Sequence, residues 1–313
     1  MRHRLLWSTM TIIILLAIGA LIYLSTRSNF YQTQLPTGNT ADQASTTLPD
    51  FDHVVIMVFE NKGYSTILYN SQAPYFGKLA KQNSLATHYY ANFHPSLPNY
   101  IAMTSGTNAG ITSDCSPDKC PAKVKNIADE IESSGRSWKA YQEDMPAPCT
   151  TYNSGRYAVR HNPFVYYPNI LNDTQRCQSH DVPYSQLALD LSRNQLPDYV
   201  FITPNLCHDM HDCSVKAGND WLAHEAPKII DSDAFKNSNS LLIVTFDEAE
   251  GSDQTNRIPT ILIGHSVKKN FISDQTYSHY SLLHTIEAAW GLKPLTKNDA
   301  DAPVMSDFFT TER

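Results

Sequence analysis

The run Phe51-Asp-His-Val-Val-Ile-Met-Val-Phe59 is apolar at nearly every position, and this leaves the chain few folds to choose from. A strand with water on one face alternates polar and apolar side chains. One that is apolar at successive positions must be covered on both faces, as in a parallel sheet. Asp198-Tyr-Val-Phe-Ile-Thr203, Ser240-Leu-Leu-Ile-Val-Thr-Phe246 and Ile258-Pro-Thr-Ile-Leu-Ile263 repeat the pattern. Helical patterns separate them: Asn126 to Ser134 with a stop at Gly135, Leu187 to Arg193, Trp221 to Ile230, and Ser281 to Trp290 closed by Gly291. Buried strands alternating with helices predict an α/β/α sandwich around a mostly parallel sheet. There is no internal repeat. The segment 107–185, rich in Pro, Tyr and Cys, is expected to form a lobe over the sheet edge.

The N-terminus has a different character. Met1-Arg-His-Arg4 precedes an apolar stretch from about Trp7 to Leu24 that carries no ionised residue. At roughly 18 residues it is long enough for a short membrane span, and it exceeds most signal-peptide cores. No small-x-small cleavage site follows, so an uncleaved anchor is favoured over a cleaved signal, with the remainder facing outward. Residues 1–25 are thus read as anchor or signal, 26–50 as a polar flexible linker, and 51–313 as one folded domain. With 313 residues, 42% hydrophobic and 18% charged, the chain can support such a domain with a real core.

Six cysteines, Cys115, Cys120, Cys149, Cys177, Cys207 and Cys213, all lie in the outward part. Their spacing fits no zinc ribbon or finger, and an oxidising compartment favours disulfides. The close spacings of Cys115 with Cys120 and of Cys207 with Cys213 suggest local loops, but the connectivity stays open. A net charge of −7 excludes the basic stripe of a nucleic-acid binder. Any anionic substrate must be drawn in locally, by a metal or a few cations.

Ligands of open α/β sheets gather at the carboxyl ends of strands. There the first apolar run ends in Glu60-Asn61 and a late one in Asp247-Glu248. Between them, His94-Pro-Ser96-Leu-Pro-Asn99-Tyr100 places a serine at a predicted helix start, where free backbone N–H groups can hold an anion. Taken singly, a Ser-x-Pro is more often a helix cap and a strand-terminal acid more often a turn former. Their joint arrangement raises the odds of a site.

Those blocks, Phe59-Glu-Asn61, His94 to Tyr100 and Phe246-Asp-Glu-Ala-Glu-Gly-Ser252, resemble the signatures of the bacterial acid phosphatase and phospholipase C phosphoesterase family. That family belongs to the alkaline-phosphatase-like superfamily. Thr203-Pro-Asn-Leu-Cys-His-Asp-Met-His-Asp212 and Ser278-His-Tyr-Ser-Leu-Leu-His284 extend the likeness, which runs from about residue 51 to 295. Within the family the chain looks most like the secreted mycobacterial acid phosphatases described as phosphatidylinositol-3-phosphatases. The resemblance implies hydrolysis of phosphate monoesters, on a phosphorylated small molecule or lipid head group, by an extracytoplasmic monomer. It implies Ser96 as nucleophile and Glu60, Asn61, Ser96, Asp247 and Glu248 as ligands of a divalent ion. An oxygen-rich set tolerates Mg, Ca or Mn as readily as Zn, so the ion stays open.

Asp209, His211 and Asp212 are expected at the site, as second-metal ligands or with His211 as general acid for the leaving alcohol. His208 is less secure, because the mycobacterial relatives carry a different residue there. His279 opens a helix in a matching block and is a further catalytic candidate. His94, Asn99, Arg160 and His161 are candidates for holding substrate, while His53, His265 and His284 read as structural or solvated. Two departures stand out: Ala-Glu-Gly after Asp247-Glu248, where the mycobacterial enzymes have a second aspartate pair, and the N-terminal anchor. A phospholipase C-type phosphodiesterase would use the same nucleophile and ion and is the main alternative. A catalytically inactive surface-binding protein is a remote one, since every expected polar position is filled. No Gly-x-Ser-x-Gly elbow surrounds Ser96, which argues against an α/β-hydrolase.

Overall fold

The computed structural model describes residues 48–310. The apolar N-terminal stretch and nearly all of the expected linker lie outside the described residues. Among those described, no helix is long and apolar enough to cross a membrane. Leu48 already packs against the core, and Asp50 pairs with Arg136 at 2.9 Å, so the packed part begins slightly before residue 51.

Eight strands build one sheet: β1 (His53–Phe59), β2 (Ser84–Tyr90), β3 (Trp138–Gln142), β4 (Asp181–Pro183), β5 (Tyr199–Thr203), β6 (Ser240–Phe246), β7 (Arg257–Gly264) and β8 (Phe271–Ser278). Their order is β4-β3-β5-β1-β6-β7-β2-β8. The four apolar runs are β1, β5, β6 and β7, in the middle of this order, and every residue of β5 and β6 is buried. The expected α/β architecture is present, with helices flanking a mostly parallel sheet. β7 alone runs antiparallel to both of its neighbours, β6 and β2. The link from β6 to β7 contains no helix, and a connection of only about ten residues is too short for a parallel crossover.

The segment 107–185 is less separate than expected. It supplies β3 and β4, which extend the sheet beyond β5 by parallel pairing. Its loops are stapled by Cys115–Cys120 and Cys149–Cys177, and Cys207–Cys213 closes the loop after β5.

Six helices are labelled here: α1 (Pro74–Gln82), α2 (Ser96–Ser105), α3 (Ile127–Ser133), α4 (Ser185–Ser192), α5 (Val215–Ile230) and α6 (His279–Ala289). Asn126 starts α3 through a reciprocal capping box with Asp129, which explains its sharp N-terminus. All ten residues of α2 are buried, and α6 packs against it. Such burial is unusual for a helix and leaves α2 little freedom to shift. This fixes the direction in which its first residue, Ser96, points.

Candidate active site

β1 and β6 pair in parallel with Phe59 opposite Phe246, so both strands stop at the same level. The Asp247 amide donates to the Phe59 carbonyl at 2.9 Å, which brings Glu60-Asn61 and Asp247-Glu248 together at one sheet edge. β2 ends at that edge too, since it runs antiparallel to β7 and β7 antiparallel to β6. Its continuation, Ala91 to Pro95, delivers Ser96 as the first residue of α2. Asn61 adopts a left-handed backbone (φ 51°), which asparagine tolerates well. That turn lets its amide donate to Asp247 Oδ1 at 3.0 Å while its side chain lies 2.6 Å from Glu60 Oε2.

Ser96 Oγ sits among these groups. It lies 3.0 Å from Glu60 Oε2, 3.2 Å from Glu248 Oε1 and 3.4 Å from Asn61 Nδ2. Its single proton can serve one carboxylate at a time. The hydroxyl makes no capping bond, because Pro95 holds the cap position of α2. The Leu97 amide, one of the free donors expected to cradle an anion, instead donates to Asp114 Oδ1 at 2.9 Å.

Glu60 is the hub. Its Oε1 accepts from the Tyr100 hydroxyl at 2.7 Å and lies 3.1 Å from His161 Nε2. His161 in turn places Nδ1 3.2 Å from Asp209 Oδ2 and stacks on the Tyr100 ring, with centroids 5.4 Å apart. Burial pushes the carboxyls of Glu60 and Asp247 well above their ordinary range, helped at Glu60 by the charge of Asp247 and at Asp247 by that of Glu248. Glu248 rises to about 8, by burial first and then by the charge of Glu60. Asp209 rises to about 7 for want of solvent, and the same cause lowers His161 to about 4, so this histidine is neutral and carries no compensating charge.

Three buried acids at one sheet edge with no cationic partner are costly to bury, and a cation is what would relieve the cost. The donor set suits one. Asp247 Oδ2 is buried without a hydrogen-bond partner, and Asn61 can present either end of its amide. The acids by themselves stay spread apart. Among the described residues, the only three His, Cys, Asp or Glu ligand atoms within 4.8 Å of one another belong to Cys149, Cys177 and Asp181, and both of those sulfurs are in a disulfide. Any ion at the sheet edge would therefore rely on Asn61 and Ser96, which stand between the carboxylates.

Comparison with known proteins decides the class. The model of the Phosphoesterase family matches residues 66–293, which is most of the chain. The chain belongs to the Phosphoesterase family. This phosphoesterase is 35% identical over 267 residues to a phosphatidylinositol-3-phosphatase of Mycobacterium tuberculosis, covering 85% of each chain. It is 31% identical over 266 residues to a phosphate-repressible acid phosphatase of Penicillium chrysogenum, covering 82% of this chain and 63% of that one. Among solved structures, a protein in the alkaline phosphatase superfamily from Vibrio parahaemolyticus shares the fold. Its TM-score is 0.60 at 14% identity, over 83% of this chain and 72% of that one. The protein is thus a phosphoric ester hydrolase on an alkaline-phosphatase-type fold.

The phosphoesterase gathers Glu60, Asn61, Ser96, Asp247 and Glu248 at one point, and several other candidates have different duties. Asn99 does not face a substrate: its carbonyl accepts from the amides of Asn92 and Phe93, and its amide donates to the Phe93 carbonyl. Its polar atoms are used in holding the loop before Ser96. His161 likewise has both ring nitrogens turned to buried carboxylates. His279 is fully buried, with Nε2 donating to the Asp247 carbonyl at 2.6 Å and Nδ1 3.2 Å from the Tyr89 hydroxyl. It positions Asp247 and is remote from solvent, and burial lowers it to about 4. His94, partly exposed, lies against Glu248 Oε2.

The ligand atoms of Asp209, His211 and Asp212 are not gathered at one point. Asp209 faces inward, accepting from the His211 amide at 2.7 Å and facing His161. His211 and Asp212 point outward, paired at 2.6 Å through Nδ1. His211 Nε2 lies 3.1 Å from Arg160 Nη2. Arginine can only donate, so Nε2 accepts and Nδ1 carries the proton that goes to Asp212.

Sequence reasoning missed Tyr100, Asp114 and Asn256. Tyr100 stands within the serine block, four residues past Ser96, so helical spacing could have flagged it as a neighbour of the nucleophile. Asn256 ties two loops together: its Oδ1 accepts from the Ala249 amide and its Nδ2 donates to the Phe93 carbonyl, each at 2.8 Å. No motif announces that contact.

Proposed function

We propose that this protein is a metal-dependent phosphatase that hydrolyses phosphate monoesters through a phosphoserine on Ser96. The observation that carries this reading is the position of Ser96 Oγ, within 3.0 to 3.4 Å of Glu60, Glu248 and Asn61 and free of any capping duty. A divalent ion held by Glu60, Asn61, Ser96, Asp247 and Glu248 would supply positive charge that lowers the serine pKa and offsets charge on the phosphoryl group.

The rest falls to the chain's own groups. Ser96 Oγ gives its proton to the Glu60 carboxylate 3.0 Å away, which later yields it to solvent. The oxygen bonds to phosphorus as the bond to the alcohol oxygen breaks, and the alcohol departs with a proton from His211. Water then cleaves the serine–phosphorus bond and releases phosphate. His211, oriented by Asp212, is the residue assigned to protonate the leaving alcohol. In the arrangement seen, its Nε2 accepts from Arg160. It must therefore take up a proton and part from Arg160 before it can donate, which frees the guanidinium for the substrate's anionic oxygens. Buried Tyr100, His161 and His279 keep Glu60 and Asp247 in place.

Three disulfides, with no free cysteine among the described residues, support an extracytoplasmic site of action. There the N-terminal apolar stretch would tether the domain to the membrane. The names of the relatives favour a monoesterase, with phosphatidylinositol 3-phosphate among the substrates to try. Screening the purified protein against phosphate mono- and diesters tests the reading: release of inorganic phosphate from monoesters is expected, and turnover of diesters alone would replace it with a phosphodiesterase.

A further inference from the structure

A cleft of about 290 Å³ lies beside the first turn of α2 and is lined by Asp114, Cys115, Ser116, Asn153, Val159 and Arg160. It is joined to the site on two sides. Asp114 Oδ1 accepts the amide of Leu97, the residue after Ser96, and Arg160 Nη2 reaches His211 Nε2. Arg160 Nε lies 3.8 Å from Asp114 Oδ2, so acceptor and donor stand side by side without a tight bond between them. We infer that this cleft is the leaving-group subsite, and that it takes a small hydroxyl-rich alcohol; the inference rests on the phosphomonoesterase reading above.

The chemistry of the walls carries the choice of ligand. Asp114 Oδ2 as acceptor, with the Asn153 amide and the Arg160 guanidinium as donors, meets neighbouring hydroxyl groups, while the Ser116 hydroxyl is turned to Asp118 and Asn153 Oδ1 accepts the Val159 amide. Only Val159 is aliphatic, and no aromatic ring lines the cleft for an aryl group to stack on. An acyl chain would find little apolar wall beyond Val159 and the Cys115 disulfide, and its entry would strip water from Asp114 and Arg160 without replacement. The opposite charges of these two residues balance, so the leaving group need carry no charge of its own. The volume is near the lower end for small-molecule pockets, about 300 Å³, which suits an alcohol of triol to cyclitol size. The cleft's floor is held by the Cys115–Cys120 loop, which gives the subsite a fixed wall.

Two variants and three substrates test this. kcat/KM is measured for glycerol 2-phosphate, inositol 3-phosphate and 4-nitrophenyl phosphate in the full protein, in Asp114→Asn and in Ser116→Trp, which fills the cleft. Asp114→Asn keeps an acceptor for the Leu97 amide while removing the charge, so it guards against a Trp variant that fails to fold. The ratio of kcat/KM for each polyol phosphate to that for the aryl phosphate should fall at least about tenfold, chiefly through KM. Ratios that stay constant in the folded variants would overturn the subsite assignment while leaving the phosphatase reading intact. Failure of the unmodified protein to hydrolyse any of the three would instead remove the reading on which the subsite depends.

Discussion

Ser96 Oγ lies 3.0 Å from Glu60 Oε2, although the two residues are thirty-six positions apart, one opening helix α2 and the other following strand β1. The contact exists because β1 and β2 finish at the same sheet edge and because α2 is buried along its whole length. An acid facing a serine in a desolvated site is a poor arrangement for stability. It is a good one for holding a cation beside a nucleophile.

Metal removal gives the first test. Prolonged chelation should abolish hydrolysis of 4-nitrophenyl phosphate, and a divalent ion added back should restore it. Asp247→Asn should lose both the bound ion and the rate, because it removes one of three carboxylate charges. Full activity in protein shown by elemental analysis to be metal-free would contradict the ligand assignment.

His161 supports the site without touching solvent. His161→Phe keeps the stack on Tyr100 but leaves Glu60 and Asp209 without the ring nitrogens that face them. The expected cost is roughly 2–5 kcal/mol, seen as a thermal midpoint lower by roughly 5–15 °C. An unchanged midpoint would show that the two carboxylates do not depend on the ring.

Much of this architecture was legible in the sequence, for a physical reason. β1, β5, β6 and β7 are buried on both faces, so their apolar runs are unbroken. β2 (Ser-Leu-Ala-Thr-His-Tyr-Tyr) contains a register shift after Ala86, and edge strand β8 exposes half of its residues, so neither carries a clean period. The acids were legible because they follow apolar runs, and Ser96 because its block is distinctive. What could not be read were the partners of His161, His279 and Asn99. Each is a polar residue in or near a motif, yet Asn99 and His279 spend their donors and acceptors inside the protein and His161 turns its ring nitrogens to buried carboxylates. Asp114 was hidden because its contact with Leu97 spans seventeen residues and no pattern links them.

Asp181 supplies a pH test well apart from the sheet-edge acids. It is fully buried, and burial raises its carboxyl to about 7 even though Asn162 Nδ2 donates to both oxygens. The unfolded chain ionises near the ordinary aspartate value of about 3.9. The folded form therefore holds a proton that the unfolded form has lost, and stability should fall as pH rises from about 4 to about 7, then level off. Asp181→Asn should flatten that slope in thermal midpoints recorded from about pH 5 to about pH 8. Parallel slopes in the two proteins would refute the assignment.

The most direct test of the central claim is an acid-quench search for phosphate on residue 96 during turnover of 4-nitrophenyl phosphate, read by mass spectrometry alongside Ser96→Ala. The account predicts a phosphoserine at residue 96 in the unmodified protein. In the alanine variant it predicts a loss of at least about three orders of magnitude in kcat, equivalent to about 4 kcal/mol of barrier. Because Ser96 caps nothing, the variant's stability, followed by its thermal midpoint, should not fall by the roughly 1 kcal/mol that a lost cap costs. Near-normal turnover by Ser96→Ala, with no phosphate found on Ser96 in the unmodified protein, would contradict the account.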